Sequence, residues 1–309
     1  MKTAIIGGTG FIGTALIQPL LESGREILVF GRRSCPDNLS DAVAYIQTDC
    51  LDSSMLAKQL KDVNEIIDLS YATTPKTSFD NPMEDLISNL PRAISIFEAC
   101  KSLQNLHKII IVSSGGTVYG KVDSTPISEN HSTNPISPYG ITKLTQEKYA
   151  QMYHQLYGIP VIVLRPSNCY GPKVLFNETQ GFVNISISKA LKNEVITIFS
   201  KKGTIRDYLY IDDLIAAFMS LLASGKVGTT YNVGTGIGLN NLEVLEQLRS
   251  LTVPHKIILN YRILHARSFD VPINILDSSK LSRDTGWHQK VSFTDGLKKT
   301  WQWFWETQK

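Results

Sequence analysis

Thr3-Ala4-Ile5-Ile6-Gly7-Gly8-Thr9-Gly10-Phe11-Ile12-Gly13 opens the chain and decides its architecture. Thr3–Ile6 is a short apolar stretch of strand character. Phe11 to about Ser23 carries the apolar spacing of a helix. Between them, Gly7 permits a tight turn, Gly10 lets a backbone approach a pyrophosphate, and Gly13 lets the helix pack close to the strand. The helix start then points N–H groups and a partial positive charge at the phosphates. The stretch predicts a strand–turn–helix unit that seats a dinucleotide through Gly7, Thr9, Gly10, Phe11, Ile12 and Gly13.

Outward from this unit the same alternation repeats. Ile27–Phe30, Val43–Thr48, Glu65–Leu69, Lys108–Val112 and Val161–Leu164 are apolar, β-branched runs. Helical patterns lie between them at Ser54–Leu60, Pro82–Lys101 and Tyr139–Tyr157. Buried strands separated by amphipathic helices predict a parallel sheet covered on both faces, a doubly wound α/β (Rossmann) fold. After Pro166 the elements shorten. Helices are expected at Phe182–Lys192, Asp212–Ala223, Asn241–Leu251 and Phe293–Glu306, with strands at Val195–Phe199, Tyr208–Ile211 and Thr230–Val233. We read residues 1–171 with about 204–234 as the dinucleotide domain. Residues of about 172–203 and 235–309 form a smaller, interleaved substrate domain.

Composition narrows the function. The 309 residues are 42% hydrophobic and 19% charged, an ordinary globular balance. The net charge of +3 comes from scattered basic residues, which suits a small anionic substrate and excludes a nucleic-acid or membrane surface. No apolar stretch approaches the ~20 residues of a membrane span. Cys35, Cys50, Cys100 and Cys169 form no C-x-x-C pair, and the six histidines lack metal spacing, so no metal is assigned. Isolated thiols without a signal peptide predict a cytoplasmic protein.

The second strand bears on which dinucleotide binds. An Asp or Glu about 20 residues after the glycines holds the ribose 2′-hydroxyl of NAD. Here the strand ends Phe30-Gly31-Arg32-Arg33. Without a carboxylate, and with Arg32 and Arg33 able to grip a 2′-phosphate, NADP(H) is favoured and NAD(H) is the alternative.

Tyr139 and Lys143 stand one helical turn apart and face the same way. A free phenol titrates near pH ~10. An ammonium about 4 Å away favours the phenolate by ~4 kcal/mol at an effective dielectric of about 20. The pair is therefore expected to bring a proton-donating phenol toward working pH.

With these residues in place, the chain resembles the extended short-chain dehydrogenase/reductase family, in its nucleotide-sugar epimerase/dehydratase/reductase branch. The matching motifs are Gly7–Gly13, Val112-Ser113-Ser114-Gly115-Gly116-Thr117-Val118-Tyr119-Gly120, Pro138–Lys143 and Arg165–Pro172. Arg206–Asp213 and Tyr231–Gly236 complete the set. The resemblance implies Tyr139 as acid/base and Lys143 as its electrostatic partner. It also implies Asp49, Cys50, Leu69, Ser70, Tyr139, Lys143 and Pro166 at the cofactor, with Lys143 able to hold the nicotinamide ribose, and a homodimer built on the helices Pro82–Lys101 and Tyr139–Tyr157. Gly115 stands where many members carry a catalytic Ser or Thr, which leaves Ser114 or Thr117 for that role. The Asp-Glu pair of 4,6-dehydratases is replaced by Gly116-Thr117, which argues against sugar dehydration.

The resemblance places Asn168, Arg206 and Arg267 on the diphosphate of a nucleotide sugar, and Phe199 near its base. Guanidiniums and an amide suit phosphate oxygens. A bystander ion pair of Arg206 with Asp207 or Asp212 is the alternative, and a plain core role is the alternative for Phe199. Asp212 and Asp213 read as a helix N-cap and first-turn acid. Trp301, Trp303 and Trp305 read as packing. The favoured function is NADPH-dependent reduction of a nucleotide-linked 4-keto sugar, hydride arriving at C4 and Tyr139 supplying the proton. The alternative is an NAD-dependent nucleotide-sugar 4-epimerase.

Overall fold

The computed structural model describes residues 1–36, 39–173, 181–201, 203–267 and 270–307. Its first half follows the expected alternation: β1 (Lys2–Ile6), α1 (Phe11–Glu22), β2 (Glu26–Gly31), β3 (Val43–Gln47), α2 (Ser53–Gln59) and β4 (Glu65–Asp68). Then come α3 (Pro75–Asp80), α4 (Pro82–Cys100), β5 (Lys108–Val112), α5 (Pro138–Tyr157) and β6 (Val161–Pro166). The second half adds β7 (Asn168–Tyr170), α6 (Phe182–Leu191), β8 (Ile196–Phe199), β9 (Ile205–Tyr210), α7 (Ile211–Ser224) and β10 (Thr229–Val233). It ends with β11 (Gly238–Asn240), α8 (Asn241–Thr252), β12 (Tyr261–Leu264), β13 (Ile273–Asn274), α9 (Ser279–Thr285) and α10 (Phe293–Thr307).

Seven parallel strands form the central sheet in the order β3-β2-β1-β4-β5-β6-β10. The order reverses between β1 and β4, where a doubly wound sheet opens a crevice at its C-terminal edge. Both faces are dry. Ile5, Val29, Ile67, Ile110 and Ile162 pack into one core, and Ala4, Leu28, Ile66, Ile109 and Val161 into the other. This is why the strands read as unbroken apolar runs.

The smaller layer is a four-stranded sheet, with β9 flanked by β7, β11 and β13, and a parallel β8–β12 pair. Within residues 204–234, β10 joins the central sheet, whereas β9 belongs to this small sheet. The strand expected at Tyr208–Ile211 is Ile205–Tyr210, because Ile211 already begins α7. Tyr210, not Asp212, is the α7 N-cap, so Asp212 and Asp213 are both first-turn acids. Asp213 turns inward and accepts the amides of Lys290 and Val291, each at 3.0 Å. Helix α3, absent from the sequence reading, starts from a capping box between Thr74 and Thr77 with Pro75 in the first turn.

Candidate active site

A cleft of about 1010 Å³ runs from the glycine turn to the small sheet. Its lining includes Gly7, Gly10, Phe11, Ile12, Gly13, Leu69 and Pro166 of the expected cofactor set, and Ser114, Thr117, Tyr139 and Lys143 of the expected chemical set. Asn168, Phe199, Arg206 and Arg267 line it as well. Thr9, Arg32, Arg33, Asp49, Cys50 and Ser70 lie outside this lining. Ser70 nevertheless borders it at the glycine turn, and the others belong to that turn or to the ends of β2 and β3.

The geometry of the turn fits a pyrophosphate. Gly7 has φ +76°, and a Cβ there would come within 3.1 Å of the Ser70 backbone. A Cβ on Gly13 would lie 2.5 Å from Gly8 Cα, so only glycine lets α1 close on the turn. Helix α1 has no side-chain cap and no acid in its first turn, which leaves its leading N–H groups for an anion.

At the end of β2, Gly31 lies under a β3 side chain. A Cβ on Gly31 would strike the Tyr45 hydroxyl, which donates to Arg33 O at 2.6 Å. Gln47 Nε2 donates to Arg32 O at 3.2 Å. Two β3 side chains thus hold the arginine turn by its carbonyls. Next to it, Cys50 sits at φ +59°, with burial pushing its thiol up to about 12. Asp49 Oδ1 accepts the Leu51 amide at 3.1 Å.

The chemical end is assembled at the start of α5. Ser137 caps the helix by accepting the Gly140 amide, and Pro138 occupies its first turn. A Cβ on Gly140 would come within 2.9 Å of Thr117 O, so glycine there lets the Tyr139 turn lie directly on the Ser113–Thr117 loop. Thr117 Oγ1 is buried and has no hydrogen-bond partner among the described residues. A buried hydroxyl in that state calls for a partner that the described residues do not supply. Ser113, by contrast, is committed: its hydroxyl donates to Glu147, which also receives Arg165 Nε at 2.9 Å.

Gly115 is explained by its neighbours. A Cβ there would strike Leu276 Cδ1 and come within 3.0 Å of Arg165 O and 3.1 Å of Pro166 O. The space that a Ser or Thr side chain needs is filled by Leu276, a residue about 160 positions away that only the fold brings in.

The electrostatics differ from the sequence expectation. Lys143 Nζ donates to Val112 O at 2.7 Å and lies 3.9 Å from the ring centre of Tyr71, but 5.9 Å from that of Tyr139. Burial pulls the Lys143 ammonium down to about 8, against Asp68, Asp85 and Glu147, which pull it up. The Tyr139 phenol does not move toward neutrality. Burial first, and then Asp85, push it well above the ordinary tyrosine range. Desolvation of the phenolate dominates, and Tyr139 stays a protonated phenol at neutral pH.

On the substrate wall, Arg267 bonds Asp270 through two nitrogens at 2.7 and 2.8 Å, and its guanidinium lies 4.2 Å from the Phe199 ring centre. Phe199 thus borders the cleft rather than the core alone. Arg206 forms no ion pair with Asp207 or Asp212 among the described residues; its Nη1 donates to Ile205 O. Asp207 is taken by Thr235 N at 2.9 Å, Thr235 Oγ1 at 2.8 Å and Leu276 N at 3.2 Å. Burial lowers the Arg206 pKa.

Sequence reasoning missed Tyr71, Thr73 and Asp270 in the lining and the buried Asp85 behind it. One signal was present: Asp85, Asn89 and Arg92 recur at helical spacing on the buried face of α4, where apolar residues belong.

A doubly wound sheet whose switch-point glycines share one cleft with Tyr139, Lys143, Arg206 and Arg267 is the frame of an NAD(P)-dependent oxidoreductase or epimerase. Residues 3–234 match the NAD dependent epimerase/dehydratase family, and the chain belongs to it. Among solved structures it is similar to the UDP-glucose 4-epimerase of Thermotoga maritima with UDP-glucose, with a TM-score of 0.93, 29% identity and 100% of both chains covered. The UDP-glucose 4-epimerase of Thermus thermophilus in complex with NAD gives a TM-score of 0.90 and 28% identity, covering 98% of this chain and 99% of that one. The chain is also 30% identical over 305 residues to the dTDP-4-dehydro-6-deoxyglucose reductase of Escherichia coli, covering 96% of this chain and 95% of that protein.

Proposed function

We propose that this enzyme is a nucleotide-sugar 4-epimerase acting on a UDP-hexose. The observation that carries the reading is the end-to-end likeness to a UDP-glucose 4-epimerase solved with UDP-glucose. It gives the epimerase alternative more support than the reductase expectation. Gly7, Gly10, Gly13 and the α1 N-terminus would hold the coenzyme pyrophosphate, with Lys143 and Pro166 further along the same cleft to hold its nicotinamide half. Bound there, the nicotinamide supplies reversible two-electron chemistry at sugar C4. Tyr139 exchanges the proton of the C4 oxygen, Thr117 hydrogen-bonds that oxygen, and the Lys143 charge favours the deprotonated state of the pair. Asn168, Arg206 and Arg267 take the diphosphate, and Phe199 lies against the base. The substrate half comprises the small sheet with the β8–β12 pair, β9 included. Net coenzyme consumption in this reaction is zero.

A second reading is carried by the end of β2. Gly31, Arg32 and Arg33 present no acid, and a side chain at position 31 would have to displace the Tyr45 hydroxyl. That supports NADP(H) and, with it, reduction of a 4-keto sugar, with the protonated Tyr139 as donor. Likeness to the Escherichia coli reductase supports it too. The four free cysteines support a reducing, cytoplasmic setting.

One experiment separates the readings. The purified enzyme is incubated with UDP-galactose, and separately with NADPH and dTDP-4-keto-6-deoxyglucose. NMR reports C4 configuration and absorbance reports coenzyme. The epimerase reading expects UDP-glucose to form with no absorbance change. Stoichiometric NADPH oxidation with the keto sugar, and inert UDP-galactose, would replace it with the reductase.

A further inference from the structure

Tyr71 is the feature of the cleft that no part of this function uses. It follows β4 and lines the cleft beside Tyr139 and Lys143. Its ring centre lies 4.8 Å from that of Tyr139, edge-on at 65°, and 3.9 Å from Lys143 Nζ. The Tyr71 hydroxyl donates to Asp85 Oδ1 at 3.2 Å. Asp85 has no exposed surface, and the Thr73 hydroxyl donates to it as well. Asn89, one turn on along α4, donates to Asp85 O at 2.7 Å and accepts the Ala72 amide at 2.7 Å. Two polar residues of α4 therefore strap the 71–73 loop in place and fix the ring.

The ring has a definite task. Lys143 is 5% exposed, and no carboxylate lies in ion-pair range among the described residues. Its direct contacts are Val112 O and the Tyr71 face, while Asp68, Asp85 and Glu147 favour the charge from beyond ion-pair distance. An aromatic face carries negative potential and attracts a desolvated ammonium. The same ring abuts the Tyr139 phenol and limits its tilt. We propose that Tyr71 is a positioning residue of the proton-transfer pair: its π-face holds the Lys143 ammonium charged and its edge contact orients Tyr139. The aromatic ring carries the role; the hydroxyl only anchors it to Asp85.

The inference rests on Tyr139 as the acid/base, so Tyr139→Phe is run beside the Tyr71 variants on whichever nucleotide sugar the wild-type enzyme converts. Tyr71→Phe keeps the ring, Tyr71→Leu removes it, and pentafluorophenylalanine at 71 keeps its shape while inverting the face potential. We expect kcat within about threefold of wild type for Tyr71→Phe, and roughly tenfold lower for the leucine and fluorinated variants, with KM within about threefold throughout. Should the leucine variant fail to fold, the fluorinated ring, which preserves packing, decides. A fluorinated variant as fast as Tyr71→Phe overturns the inference, and so does Tyr71→Phe losing as much as the ring-deleted form. Full activity of Tyr139→Phe would overturn the acid/base assignment itself. An inactive Tyr139→Phe beside fully active Tyr71 variants would sink only the role of Tyr71.

Discussion

Lys143 Nζ lies closer to the ring of Tyr71, at 3.9 Å, than to the ring of Tyr139, at 5.9 Å. The ammonium is thus held by an aromatic face and a carbonyl while it serves a phenol one helical turn back. Burial makes this expensive, and the charge survives near neutrality only because its pKa, pulled down to about 8, has not fallen further.

A pH dependence follows from that value. As pH rises through about 8 the buried ammonium loses its proton, so kcat falls along an alkaline limb centred there. Stability moves the other way. Between about pH 8 and the ordinary lysine value of about 10.4, the unfolded chain binds the proton and the folded one does not, so folding gains as pH rises. Denaturant titrations at pH 7.5 and pH 10 should show wild type gaining about 2–3 kcal/mol relative to Lys143→Met. A constant difference between the two proteins would mean that Lys143 titrates normally.

Thr117 and Ser114 are separable. The orphaned Thr117 hydroxyl predicts that Thr117→Val lowers kcat by about 10²-fold, whereas Ser114→Ala stays within about threefold. Thr117→Ser should retain most of the rate. Steady-state kinetics on the three variants decide it, and the reverse order would move the role to Ser114.

Gly115→Ser should not create a better enzyme. The new side chain would meet Leu276, and overpacking of this kind costs about 1–3 kcal/mol. Thermal melting should therefore drop by several degrees, and Gly115→Ser should cost less in a Leu276→Ala background than in wild type. Equal melting temperatures for wild type and Gly115→Ser would show that the site has room the structure denies.

The outer faces of α4 and α5 carry exposed apolar residues, Met83 at 63%, Ile87 at 56% and Ile141 at 53%. We propose these faces as the surface of the homodimer that the family resemblance implies. Sedimentation should give a dimer for the wild type and a monomer for Ile87→Asp with Ile141→Asp. A wild-type monomer at micromolar concentration would remove the interface.

What the sequence revealed and what it hid divide by range. The Gly7–Gly13 turn, the apolar strands and the Tyr139/Lys143 spacing are local patterns, and local sterics suffice to read them. The small strands β7, β11, β12 and β13 were not legible, because two to four residues carry too little periodicity. The crowding of Gly115 by Leu276, Arg165 O and Pro166 O and of Gly31 by Tyr45 is contact across the chain, invisible to a motif. The expected fall of the Tyr139 pKa failed for a related reason: spacing fixed the pair on one helix face, but burial, set by the whole fold, outweighed the charge.

The most direct test of the account is the fate of UDP-galactose with wild-type enzyme and with Tyr139→Phe, followed by NMR at C4 with the coenzyme absorbance recorded alongside. Wild type should yield UDP-glucose without consuming coenzyme, and the variant should be slower by about 10²–10⁴-fold while still binding coenzyme. Conversion at an undiminished rate by Tyr139→Phe would contradict the phenol's place at the reacting oxygen, and the absence of any conversion by wild type would contradict the epimerase.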